Sequence, residues 1–109
     1  MTSPLRLVKR RFSFGAHEWP GIAKLNEECG EVVQVIGKMM NVEPDFDIDV
    51  DTHWDGANLR DALTEEMADV LAAIAFVVEH SHLDEELIAA RVKKKRSLFE
   101  MWHVEQSDH

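Results

Sequence analysis

The 109-residue sequence has only one cysteine, Cys29, so no intrachain disulfide framework can staple it. A reducing cytoplasm is the expectation. Basic residues are scarce as well: 12 Lys and Arg against 21 Asp and Glu leave a formal charge of −9. A nucleic-acid backbone needs a basic face on its partner, so no nucleic-acid partner is expected. A nucleotide is not excluded, because a bound cation inverts the local field. Long apolar runs are missing too. The longest spans Val70 to Val78, about half of the roughly 18 residues that a membrane span requires. The basic residues near the start (Arg6, Lys9, Arg10, Arg11) are not followed by an apolar segment, so neither a signal peptide nor a membrane partner is expected.

Several chemical signatures fail on spacing. Gly30 and Gly37-Lys38 are separated by six residues inside a helical pattern, which is not a phosphate loop. The aspartates at 45, 47, 49 and 51 open like a calcium loop, but Val50 stands where the turn glycine belongs and Gly56 where the bidentate glutamate belongs. His80 and His82 have no third close ligand beside them, so surface histidines are the better account. Cys29 has carboxylate neighbours that blunt a thiolate, and no G-x-S-x-G elbow is present. A di-iron bundle would want Glu-x-x-His steps, and this chain has Glu-x-x-Glu at Glu28 to Glu31 and Glu-x-x-Asp at Glu66 to Asp69 instead.

What the chain does have is helical periodicity. Ile22, Leu25, Cys29, Val32, Val33, Ile36 and Met40 recur at three- and four-residue steps after Pro20, predicting a helix that begins at the proline and buries that stripe. Leu59 to His80 predicts a second, nearly fully buried helix with a core stripe of Leu63, Met67, Val70, Ile74 and Val77, widened by Leu71 and Val78. Ser81 to Asp84 reads as a turn with Asp84 capping a third helix over Glu85 to Trp102. Between the first two helices, residues 41–58 read as an acidic, extended connection closed by a turn at His53 to Gly56. The expectation is an all-α fold, an antiparallel helical bundle in a single domain of residues 1–109, with its core at about 20–102 and a tail at 103–109, disordered from Glu105.

Two acidic steps interrupt the apolar helices: Glu28-Cys29-Gly30-Glu31 and Glu66-Met67-Ala68-Asp69. A three-residue step on an α-helix turns two side chains only about 60° apart, one turn along, so each pair points one way. Taken alone, Glu28 and Glu31 are a solvated face supported by an ion pair from Lys24. Glu66 and Asp69 are harder to dismiss, because the helix around them is otherwise apolar. Set face to face, the four carboxylates cannot all stay ionised without a cation among them, and oxygen-only ligation selects hard divalent metals, Mg²⁺ first. The basic run Arg91 to Arg96 reads equally as a solvated helix end or as a cationic wall for phosphates.

Glu27-Glu28-Cys29-Gly30-Glu31, followed by Glu65-Glu66-Met67-Ala68-Asp69-Val70-Leu71, resembles the EExxE…ExxD signature of the MazG-like, all-α nucleoside triphosphate pyrophosphohydrolases. The similarity runs from about Ile22 to Trp102 and is strongest to short, phage-type members. The resemblance implies hydrolysis of a (deoxy)nucleoside triphosphate to monophosphate and pyrophosphate. It implies Glu28, Glu31, Glu66 and Asp69 as metal ligands, and Glu27 and Glu65 as catalytic acids beside them. Arg91, Lys95 and Lys38 are implied as substrate-binding cations. It further implies more than one Mg²⁺, or Mn²⁺, per site, and a homodimer or homotetramer that completes the bundle between subunits. Two departures stand out: a long interval between Glu31 and Glu66, and a shortened or missing helix ahead of the first motif. Two other accounts stay open, a non-catalytic helical dimerisation or metal-binding module and a phosphoribosyl-ATP pyrophosphohydrolase of the same fold.

Overall fold

In the computed structural model of the chain, the described residues are 19–40 and 58–107. The N-terminal basic cluster, the body of the acidic connection and its expected closing turn lie outside the described residues. Three helices account for nearly all of the rest: α1 over Ile22–Met40, α2 over Leu59–His80 and α3 over Glu85–Ser107.

The first helix starts two residues later than its proline suggests. Gly21 adopts φ 82°, a left-handed conformation that costs glycine little. Its carbonyl accepts the first intrahelical bond, from the Leu25 N–H at 3.0 Å, while the Ile22 N–H donates to the Trp19 carbonyl at 3.3 Å. Pro20 therefore lies in the turn before the helix. The second helix matches the sequence expectation end for end. Asn58, in extended conformation, caps it by accepting the Asp61 N–H on its side-chain oxygen at 3.0 Å. At the other end His82 takes φ 55° and the Leu83 N–H returns to the Val78 carbonyl at 3.0 Å. This is a left-handed closing turn, a position more often filled by glycine. Asp84 then caps α3 as expected, its carboxylate accepting the Leu87 N–H at 3.0 Å. The disorder expected from Glu105 is corrected as far as Ser107: α3 continues to that residue, whose hydroxyl donates to the His103 carbonyl at 2.8 Å.

Helices α1 and α2 pack along their length, and α3 makes no comparable contact with either. The pair is antiparallel: one groove joins Gly21 and Lys24 to Ala72 and Phe76, and another joins Met39 to Arg60 and Leu63. The face that α1 turns inward is not the one its apolar pattern predicts. Glu28 is its buried side chain, with Val32, Val35 and Met39 half-buried nearby. Of the expected core stripe, Cys29, Val33, Ile36 and Met40 are exposed, Val33 to 67% and Met40 to 79%. The expectation that α2 is nearly all buried is corrected in the same way. Leu59, Ala73 and Val77 are buried, but Met67, Leu71 and Ile74 are exposed. No side chain of α3 is buried, and Phe99, Met101 and Trp102 face solvent.

The cause is the number of layers. Two packed helices can each bury one face, so an apolar stripe wider than that face needs another helix on top, which α3 does not supply. The radius of gyration, 18.3 Å, agrees: a compact chain of this length would have about 13 Å.

Asn58 satisfies an N–H of α2, the helix on which the packed pair depends. Asn58→Ala should lower the unfolding free energy by about 1 kcal/mol in a urea titration, while Asn58→Asp should stay close to wild type.

Candidate metal and phosphate site

Because α1 and α2 run antiparallel, the two acidic steps meet across the helix pair. One oxygen each of Glu28, Glu31, Glu66 and Asp69 lies within 4.8 Å of all the others. The i, i+3 spacing places each pair on one face, and the inward rotation of α1 turns its pair towards α2. Glu28 is 5% exposed, Glu31 and Glu66 are half-buried, and Asp69 is open to solvent. The cluster is thus closed at Glu28 and open at Asp69.

The polar atoms here are incompletely matched. Glu28 Oε1 accepts from Lys24 Nζ at 2.9 Å, but Glu28 Oε2 and Glu66 Oε2 are buried without a hydrogen-bond partner. A buried carboxylate oxygen left without a donor is costly. All four side chains are hard anionic oxygen donors, and two of their oxygens are sequestered from water with nothing to accept from. That is the chemistry expected of ligands for a hard divalent cation.

Proton affinity reports the same crowding. Glu31 is pushed up from an ordinary 4.5 to about 7. The largest cause is its hydrogen-bonding contact with Glu66, followed by the negative charges of Glu28 and Glu66, partial burial and Glu27. Two carboxylates can share such a bond only while one holds a proton, so Glu31 holds its proton more tightly than a free glutamate, and a cation could take that proton's place. Lys24 is shifted upward in the same field, Glu28 being the first cause through its hydrogen bond and Glu27 the next.

Beside the cluster lies an open groove of ≈ 380 Å³, lined by Gly21, Lys24, Glu28, Asp69, Ala73 and Phe76. Small residues keep it open. Ala73 is one turn beyond Asp69, and Gly21 has no side chain to fill the mouth. The Phe76 ring is stacked on His80, with centroids 3.9 Å apart at 13°.

The remaining sequence candidates fall around this centre in different ways. Glu27 is exposed on the adjoining flank of α1, its carboxylate 3.6 Å from Lys24 Nζ, and Glu65 is exposed on α2. Lys38 is exposed near the end of α1, seven residues past Glu31. Arg91, exposed, and Lys95, half-buried, are carried on α3, which within one chain is not packed against the carboxylate pair. Among the described residues, the cation that the structure brings to the cluster is Lys24. The sequence reading treats it as ordinary helix support; its position four residues ahead of Glu28, on the stripe that turns inward, is the signal that singles it out.

With that geometry in place, the comparisons give one positive result. A family model described as the MazG nucleotide pyrophosphohydrolase domain matches residues 21–97. No curated protein and no solved structure matches the chain.

The shift on Glu31 has a definite consequence for metal-free protein. The folded state holds this proton more tightly than the unfolded state, so its stabilising contribution is full below 4.5 and is lost as the pH rises through about 7. In EDTA the melting temperature should fall between pH 5 and pH 8, and Glu31→Gln should flatten that fall. An equal slope in both proteins would show that the cluster is not the source.

Proposed function

The chain belongs to the MazG nucleotide pyrophosphohydrolase family, and from that premise we propose that it hydrolyses a (deoxy)nucleoside triphosphate to the monophosphate and pyrophosphate in a metal-dependent reaction. The observation that carries the reading is the meeting of Glu28, Glu31, Glu66 and Asp69 within 4.8 Å, with two buried oxygens that lack a donor. These four would hold Mg²⁺, or Mn²⁺, more than one ion being accommodated by so many oxygens. When bound, the metal supplies charge neutralisation for phosphate oxygens and a lowered pKa for a coordinated water.

The chain's own residues divide the rest of the work. The closed, buried end at Glu28 keeps bulk water away from one side of the cluster, and the open end at Asp69 admits a substrate. The groove past Asp69 is lined by small and aromatic side chains, which suits the nucleoside half, with the phosphates directed at the carboxylates. Glu27 and Glu65 are exposed acids next to two of the ligands, and each is available to take the proton of a water attacking the α-phosphorus. Arg91, Lys95 and Lys38 are the candidates to hold the departing pyrophosphate. Since α3 does not reach the cluster within one chain, Arg91 and Lys95 would act there when another subunit supplies its α3.

That requirement agrees with the exposed apolar faces. Val33 and Met40 on α1, Leu71 on α2 and Phe99 and Trp102 on α3 form more uncovered apolar surface than a monomer of this size carries comfortably. The proposed state is a homodimer, or a tetramer of two dimers.

Two experiments test the reading. With Mg²⁺, product analysis across the common NTPs and dNTPs should give monophosphate and pyrophosphate from at least one of them, and EDTA should abolish both. In ¹⁸O-labelled water the label should appear in the monophosphate. Glu28→Gln and Asp69→Asn should each lower kcat on the order of 100-fold or more with helical circular dichroism unchanged. Activity near wild type in either variant would sink the assignment of ligands. For assembly, light scattering should give two or four times the 12.5 kDa chain mass, and Leu71→Glu together with Phe99→Glu should return it towards one. A monomeric wild type would remove the shared-site account of Arg91 and Lys95.

A further inference from the structure

We propose that Lys24 is a counter-ion with two alternative partners: the buried Glu28 carboxylate while the cluster holds no metal, and a substrate phosphate once it does. The inference rests on reading the cluster as a metal and triphosphate site, and goes beyond it by assigning a phosphate-binding and metal-gating role to a residue outside the ligand set.

Three observations carry it. Glu28 is the one buried charge of α1, and its carboxylate keeps one oxygen on Lys24 Nζ at 2.9 Å while the other has no partner. Lys24 is therefore the compensation that lets Glu28 sit buried, and it compensates only half of it. Its side chain, by contrast, is 46% exposed on a flexible stem, so leaving Glu28 costs Lys24 itself little packing. Finally, Lys24 lines the same groove as Glu28 and Asp69, so the volume its ammonium can sweep is the volume a metal-bound phosphate must enter.

Charge arithmetic turns these observations into an exchange. A divalent cation at Glu28 would satisfy that carboxylate and disfavour an ammonium held at hydrogen-bond distance from it. Lys24 then has Glu27, 3.6 Å away and exposed, as a weak resting partner. A triphosphate entering the groove offers several charged oxygens and is the better partner, and ammonium groups bind phosphate well as mobile point charges. Lys24 thus competes with metal when substrate is absent and cooperates with it when substrate is present. An ordinary surface i, i+4 pair would do neither, since its removal alters nothing beyond its own helix.

The test measures binding, so it does not depend on turnover. Mn²⁺ is titrated by calorimetry into metal-free, full-length wild type, Lys24→Met and Lys24→Gln. Inorganic tripolyphosphate is then titrated into each protein at saturating Mn²⁺. Both variants should bind Mn²⁺ about tenfold more tightly and tripolyphosphate about tenfold more weakly than wild type, the scale of one charge-assisted contact in each state. Circular dichroism checks the fold, and Lys24→Gln, which keeps a donor for Glu28, covers the case in which Lys24→Met does not fold. Unchanged or weaker Mn²⁺ affinity would overturn the competition, and unchanged tripolyphosphate affinity would overturn the exchange. If wild type hydrolyses no triphosphate, the proposed reaction fails by itself, while the Lys24 exchange is still decided by these two titrations.

Discussion

The structure depends on one electrostatic constraint: four carboxylates held within 4.8 Å across a pair of helices, one of them buried. Apolar helices meet most cheaply through apolar faces, and α1 has such a face available in Cys29, Val33, Ile36 and Met40. It turns instead towards α2 with the stripe that contains Glu28 and Glu31. Such an arrangement lasts only if the charges are compensated. Within the chain the compensation is makeshift: an ammonium on one oxygen of Glu28, the proton affinity of Glu31 raised to about 7 beside Glu66, and nothing on the two remaining buried oxygens. Each of these is something that a divalent cation can replace.

A second consequence follows from the same rotation. Turning the carboxylates inward turns the broader apolar stripes outward, so the carboxylate cluster and the exposed apolar faces arise from a single choice of helix face. The chain displays apolar side chains on all three helices while burying few of them. With α3 standing apart, the basic residues Arg91 and Lys95 are also left away from the anionic centre of their own chain. On the proposed reading these are one problem with one solution, since a partner that covers the apolar faces can bring its α3 to the site.

Much of this was legible in the residues and some was not, for identifiable reasons. The boundaries of α2 and the cap at Asp84 could be read because local chemistry decides them: a side-chain oxygen meets an N–H three residues away, whatever the remainder of the chain does. The convergence of Glu28, Glu31, Glu66 and Asp69 was legible because helical spacing sets each pair, and an antiparallel connection lets the pairs meet. The inward face of α1 was not, because hydrophobic periodicity marks an apolar face without saying whether another helix of the chain packs on it. Val33 and Met40 score as core and lie in solvent. The start of α1 was misjudged because Pro20 suits a first helical position, whereas the positive φ of Gly21, a property visible only in the backbone, sets the boundary. The continuation of α3 to Ser107 was missed because the polar end of the sequence has no apolar stripe to mark it.

The division of labour between Lys24 and the other cations reflects where each is anchored. Arg91 and Lys95 sit on a helix whose position relative to the carboxylates is not set within the chain, so their contribution would arise only on assembly. Lys24 is fixed to the cluster by its own helix, four residues from Glu28, and is present whatever the oligomeric state. On the proposed reading of Glu28 as a metal ligand, a cation tied that closely to it would merely obstruct the site if it stayed in place. It is useful only if it can leave, and a half-exposed lysine can do so where a buried arginine gripping both carboxylate oxygens could not. The choice of lysine at position 24, and its solvent exposure, are therefore properties expected of a group that changes partner during the working cycle of the site.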